Sequence, residues 1–126
     1  MPMNETYTAS APSRDEVDDL EGFTLLEFGT DWCGHCRAAQ PPLATAMAGR
    51  SLRHLKIEDG PGRPLGRSFR VKLWPTLILM RQGEELGRVV RPTSTQAIED
   101  LLRQAGNSAS GSVQAAQSGR FMFIVA

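Results

Sequence analysis

Residues Phe23 to Phe28, Phe-Thr-Leu-Leu-Glu-Phe, form a near-continuous apolar run. A strand with one wet face alternates apolar and polar side chains, whereas a run like this suits a strand buried on both faces. It therefore calls for layers packed above and below it. The neighbouring segments supply them. Ser13, with Glu16 three residues on, fits a capped helix start reaching to Leu20. Helical composition runs from Cys33 to Met47, interrupted by Pro41-Pro42. A kink or break is expected near Gln40, because the residue before a proline is pushed out of the α region. Leu52 to Ile57 reads as a strand, 60–66 as a loop, and Leu65 to Phe69 as a short helix. Pro75 to Met80 and Glu85 to Val90 read as strands joined by a turn at Gln82-Gly83. Ser94 to Gln104 is an amphipathic helix with Ile98, Leu101 and Leu102 on one face. With a short edge strand at Thr6 to Ala9, the order is β-α-β-α-β-α-β-β-α. That order implies an α/β domain, a mixed sheet with helices on both faces.

The chain has 126 residues, of which 40% are hydrophobic and 22% charged, enough for one core and one domain. That domain is read as residues 1–105. Residues 106–126 are read as a flexible Gly/Ser/Ala/Gln tail ending in the apolar hexamer Phe121 to Ala126. The hexamer reads mainly as a remnant with an aggregation tendency, and otherwise as a segment docking in a groove or on a sheet edge. Fourteen basic residues balance fourteen acidic ones, so the basic excess that phosphate neutralisation demands is missing and no nucleic-acid partner is expected. No apolar run approaches a membrane span, and Met1 to Asp19 is polar and acidic with no signal-peptide core. A cytoplasmic location is the expectation. Charge is uneven: residues 50–91 carry ten bases against Glu58, Asp59, Glu84 and Glu85. This reads as a solvated surface partly neutralised by the acidic N-terminal segment, rather than as a face built for acidic partners.

The two cysteines, Cys33 and Cys36, sit in one C-x-x-C. Two cysteines cannot form a disulfide scaffold, so the pair is either redox chemistry or half of a metal site. Zinc would need four ligands, and beyond the cysteines only His35 and His54 are candidates, with His35 confined between the sulfurs. Thiol–disulfide exchange needs a thiolate nucleophile and a second thiol to resolve the mixed disulfide. A two-residue spacer at a helix N-terminus brings both sulfurs together and aims free N–H groups at the first. Cys33 is then the nucleophile and Cys36 the resolving thiol.

Phe28-Gly-Thr-Asp-Trp-Cys-Gly-His-Cys36, followed by Trp74-Pro75-Thr76 before an apolar strand, resembles the thioredoxin family over about residues 5 to 105. The resemblance implies the thioredoxin fold, a central mixed sheet of four to five strands flanked by helices on both faces. It implies a thiol–disulfide oxidoreductase with a Cys33–Cys36 redox disulfide, no other cofactor and no metal. It also implies protein disulfide substrates, a thioredoxin-reductase-type electron donor and a monomeric state.

The resemblance assigns further positions. Pro75 matches a cis-proline facing the disulfide, where the preceding residue, here Trp74, offers backbone groups to an extended substrate. Trp32 and Thr76 flank the same groove. Glu27 matches a buried acid that helps move the proton of the second cysteine through water. Its place in an apolar run predicts a raised pKa. Gly34 and His35 occupy the spacer, and a protonated His35 would favour the Cys33 thiolate. His54 stands where many relatives carry a lysine, and reads as filling the sheet more than as a partner for Glu27. Two positions depart from the pattern. Gly29 replaces a common tryptophan and would leave an opening. Arg91 replaces a common glycine and would put bulk and charge in the groove. The rival reading is a thioredoxin-like docking module with secondary redox activity or none, using Arg91, Trp74 and the apolar tail.

Overall fold

A computed structural model describes residues 6–8 and 10–106. The 106–126 tail with its apolar hexamer therefore lies, apart from its first residue, outside the described residues. The elements run α1 (Arg14–Asp18), β1 (Phe23–Gly29), α2 (Gly34–Met47), β2 (Arg53–Glu58), α3 (Pro64–Ser68), β3 (Thr76–Arg81), β4 (Glu84–Val90) and α4 (Thr95–Gly106). The strands form one sheet in the order β2-β1-β3-β4. β1 and β2 are parallel, joined through α2, and the other two pairs are antiparallel.

Alternation along the central strands sends side chains to two cores. Leu25 of β1 and Leu77 and Leu79 of β3 pack with Leu43, Ala46 and Met47 of α2 and Ile98, Leu101 and Leu102 of α4. Leu26, Phe28, Ile78 and Met80 face the other way, against Val17 of α1 and Leu65 of α3, with Phe69 just beyond it. The run at residues 23–28 is thus apolar because β1 has no wet face: every position from Thr24 to Gly29 is buried. Glu27 shares the register face of Leu25, toward α2.

Local chemistry sets the ends. Ser13 and Glu16 form a reciprocal capping box at α1, satisfying two otherwise orphaned N–H groups. Ser94 Oγ accepts the Ala97 N–H at the start of α4. The β3–β4 hairpin turns through Gln82 and Gly83, both with positive φ (48° and 87°), the backbone that a tight two-residue turn requires.

Two expectations are corrected. Of the edge strand expected at Thr6 to Ala9, the described residues show a single parallel bridge between Thr8 and Ile57, and Ala9 lies outside them. Thr8 makes two backbone bonds to β2, and its own side chain takes the Ser10 N–H. The expected break near Gln40 is also absent, because α2 runs unbroken through Pro41 and Pro42. The carbonyls that lose their donors belong to Arg37 and Ala38, which are exposed, so water can replace the missing bonds. The side chain of Gln40 adds a 2.8 Å bond to the Cys36 carbonyl one turn back.

Leu43 is fully buried where α2 meets α4 and the sheet. Leu43→Ala is expected to cost about 2–5 kcal/mol by chemical denaturation. A cost well under 1 kcal/mol would show that this contact does not hold the layer.

Candidate active site

β1 delivers the chain to Thr30–Trp32, and Cys33 follows as the N-cap of α2, with extended backbone (φ −77°, ψ 123°). The cysteines lie 3.0 Å apart with both thiols free. Cys33 Sγ accepts the Cys36 N–H at 3.3 Å. The two sulfurs sit in unequal surroundings. Burial pushes Cys33 up, but hydrogen bonds from the Cys36 thiol and the Cys36 and His35 backbone N–H groups, with the Arg91 charge, bring it below the ordinary thiol value. Cys36 is 1% exposed against 9% for Cys33. Burial first, and then the bond it donates to Cys33, push it up to about 11, against the opposing pull of the Thr30 N–H and the Tyr7 hydroxyl.

Around the sulfurs lie the residues expected to form the groove. Trp32 is 71% exposed and meets Trp74 edge-on at 5.8 Å between centroids. Trp74 Nε1 donates to Asp59 Oδ2 at 2.8 Å, which fixes the indole. The Trp74–Pro75 peptide bond is cis. Thr76, buried at the head of β3, donates its hydroxyl to the Leu73 carbonyl. Gly34 and His35 are exposed on the first turn of α2. Arg91 adopts a glycine-like backbone (φ 50°). Its Nε donates to the Trp74 carbonyl at 2.9 Å, and its N–H to the Pro75 carbonyl at 2.8 Å. The Trp74 carbonyl that was expected to await a substrate chain is therefore already engaged by the residue that replaces the family's glycine.

Beneath Cys36, Glu27 is fully buried and surrounded. His54 Nε2 lies 2.9 Å from Oε1. Gln40 Nε2 donates to Oε2 at 2.9 Å, and the Tyr7 hydroxyl donates to the same oxygen at 2.8 Å. Lys56 pairs in register with Glu27 and donates to Gln40 Oε1 at 2.7 Å. The expected upward shift of Glu27 is overturned. Burial does push it up, but the bonds from His54 and Gln40 and the Lys56 charge outweigh burial and hold the carboxyl below its ordinary value. His54 is accordingly a partner of Glu27 rather than sheet filling.

Tyr7, Gln40 and Lys56 were missed in the sequence reading. Gln40 carried a usable signal, lying one helical turn after Cys36 on the same face. Lys56 carried one too, since period two along β2 puts it on the face of His54. Tyr7 carried none, being the chain's only tyrosine in a polar stretch. Its position also corrects the reading of Gly29. A Cβ there would lie 2.5 Å from Cys36 Sγ and 2.7 Å from the Tyr7 hydroxyl, so these two groups occupy the space that was expected to stand open. A cleft of about 180 Å³ bounded by Tyr7, Thr30, Asp31, Cys36, Arg37, Gln40 and Lys56 leads to them. A larger cleft of about 520 Å³ adjoins Trp74 and gathers Arg63, Arg67, Arg70 and Lys72 with Asp59, concentrating much of the basic excess of residues 50–91.

Comparison with known proteins places these features. A family model described as thioredoxin matches residues 6–104. The structure of thioredoxin 2 from Pseudomonas aeruginosa PAO1 in its reduced form is 55% identical with a TM-score of 0.76, covering 84% of this chain and 99% of that one. Thioredoxin H2-1 of Oryza sativa subsp. japonica is 37% identical over 68 residues, 52% of this chain and 49% of its own. Thioredoxin of Chlamydia pneumoniae is 32% identical over 87 residues, 66% of this chain and 82% of its own. The chain spans about half or less of the length of the first curated relatives it matches.

Glu27 yields a pH test. Folding favours its ionised form, so its contribution is whole above the unfolded value of about 4.3 and is lost as pH falls through the lower folded value. The stability gap between the wild type and Glu27→Gln is expected to hold steady above about pH 5 and to narrow below about pH 4 in urea titrations. Parallel pH profiles for the two proteins would refute the assignment.

Proposed function

Since the chain belongs to the thioredoxin family, we propose that it is a protein-disulfide oxidoreductase cycling between the Cys33–Cys36 dithiol and disulfide. The observation that carries this reading is the inequality of two sulfurs 3.0 Å apart at a helix start. One is lowered below the ordinary thiol value and the other raised to about 11. Only a thiolate attacks a disulfide, so Cys33 reacts first. Its sulfur bonds to one sulfur of the substrate, and the other leaves as a thiolate. Cys36 then attacks Cys33, forms the intramolecular disulfide and releases the second substrate thiol. The substrate gains two electrons and the cysteine pair loses two.

In this reading the groove of Trp32, Trp74, Pro75, Thr76 and Arg91 receives the substrate chain. The Arg91 charge supports the Cys33 thiolate. The basic cleft beside Trp74 suits substrates with acidic residues near the reactive cysteine. Gly34 leaves room above the helix start, and His35, when protonated, adds to thiolate stabilisation and makes the pair more oxidising. A cytoplasmic monomer working as a reductant, recharged by a thioredoxin-reductase-type donor and needing no further cofactor, is the arrangement we favour. The docking-module alternative draws no support from a site in which both thiols and the buried acid are in place.

Equilibration in glutathione or dithiothreitol buffers, read by the fluorescence of Trp32 and Trp74, gives the reduction potential. A value near the roughly −270 mV of thioredoxin itself is expected for a reductant. A value near about −180 mV or above would reverse the assigned direction. Absence of any reversible two-electron transition would refute exchange altogether. In the same protein, Arg91→Ala and His35→Ala are each expected to slow alkylation of Cys33 near neutral pH by raising its pKa. Unchanged rates would remove those two side chains from the account.

A further inference from the structure

The cycle above employs both sulfurs but assigns nothing to the phenol that lies between Cys36 and Glu27. Tyr7 reaches this place from outside the sheet, anchored by the adjacent bridge of Thr8 to β2. Its hydroxyl donates to Glu27 Oε2 at 2.8 Å, and Cys36 Sγ lies on its other side, the two atoms sharing the space over Gly29, 2.7 and 2.5 Å from where a Cβ would stand. The missing side chain of Gly29 makes room for both atoms. Lys56 Nζ stands 4.6 Å from the ring centroid and steadies it. Gln40 fixes the geometry from α2, binding the same carboxylate oxygen at 2.9 Å and the Cys36 carbonyl at 2.8 Å.

We propose that Tyr7 is a catalytic residue of the resolving step, its hydroxyl carrying the Cys36 proton to Glu27 in place of a water molecule. This rests on the exchange reading. In the mixed disulfide, the Cys36 S–H proton moves to the Tyr7 oxygen as the Tyr7 O–H proton moves to Glu27 Oε2. The electron pair left on Cys36 forms the bond to Cys33 Sγ. The Cys33–substrate bond breaks with its electrons on the substrate sulfur, which takes a proton from solvent. Glu27 later returns its proton to solvent through the cleft.

The charge states suit this direction. Burial and the Glu27 charge keep the phenol protonated well beyond neutral pH, so Tyr7 passes protons without becoming a base itself. Glu27, held ionised by His54, Gln40 and Lys56, is a standing acceptor. A weak base serves here because the thiol proton becomes steeply more acidic as its sulfur bonds to Cys33. The other charged groups facing the relay are Asp31 and Arg37 at the mouth of the cleft and Lys56 on β2.

Stopped-flow reaction of the reduced protein with 5,5′-dithiobis(2-nitrobenzoate) separates the two steps. The first released thiolate reports attack by Cys33, and the second, independent of reagent concentration, reports resolution by Cys36. Tyr7→Phe keeps the ring and is expected to leave the first phase unchanged. It should slow the second by about tenfold or more at pH 7, with the deficit shrinking as rising pH ionises Cys36 without a proton acceptor. Glu27→Gln should slow the same phase, and the double variant should be no slower than the slower single one, since the two act as a unit. A wild-type second phase in Tyr7→Phe, or a deficit equal at all pH, overturns the proposal. Should Tyr7→Phe not fold, the wild type still decides. A deuterium solvent isotope effect on the second phase is expected, and its absence refutes the relay. If the wild type releases only one equivalent, the exchange reading itself fails, a result distinct from failure of the relay.

Discussion

A carboxylate in the central strand of a fully covered sheet is the demand around which the site is organised. Left alone, an ionised Glu27 would carry a desolvation cost of several kcal/mol and would neutralise instead. It stays ionised because four side chains from three other segments converge on it: Tyr7 before α1, Gln40 on α2, and His54 and Lys56 on β2. Two of these bonds also tie the sheet to other segments. Gln40 fastens α2 to the sheet directly below the sulfurs, and Tyr7 fastens the N-terminal segment to the edge where β2 would otherwise be bare. Breaking such a buried pair by removing one partner typically costs about 3–5 kcal/mol, so this cluster holds the fold as much as it serves the site.

The sulfurs depend on a different constraint, the unpaired N–H groups at the start of α2. Cys33 caps them with sulfur where most helices use an oxygen. The same contact stabilises the thiolate, so helix capping and the lowering of the Cys33 pKa are one interaction. Burial then separates the two thiols, covering Cys36 more completely and leaving Cys33 within reach of Arg91. Helix geometry alone would set the sulfurs close together, but the inequality between them comes from what surrounds each.

Much of this was legible beforehand. The run at 23–28, the hairpin signal at Gln82-Gly83 and the amphipathic spacing of Ile98, Leu101 and Leu102 place the strands, the turn and the last helix, because burial on both faces, positive φ and a 3.6-residue period each leave a local mark. Where the local mark misled, a nonlocal or solvent contribution overrode it. Pro41-Pro42 reads as a break, yet the carbonyls they orphan face solvent, so α2 continues. Thr6 to Ala9 reads as a strand, yet the described residues pair through Thr8 alone, whose side chain takes the Ser10 N–H.

What the sequence alone determined is the order of the elements from α1 onward, the position of the C-x-x-C at a helix start and the identity of the buried acid, since each follows from spacing within a few residues. What only the tertiary structure decided is the state of that acid and the company of the second thiol. Glu27 meets Tyr7, Gln40 and His54 from 20, 13 and 27 residues away, and no local pattern encodes such meetings. The sign of its pKa shift turned on them, because burial and hydrogen bonding oppose each other and only the folded arrangement says which is larger.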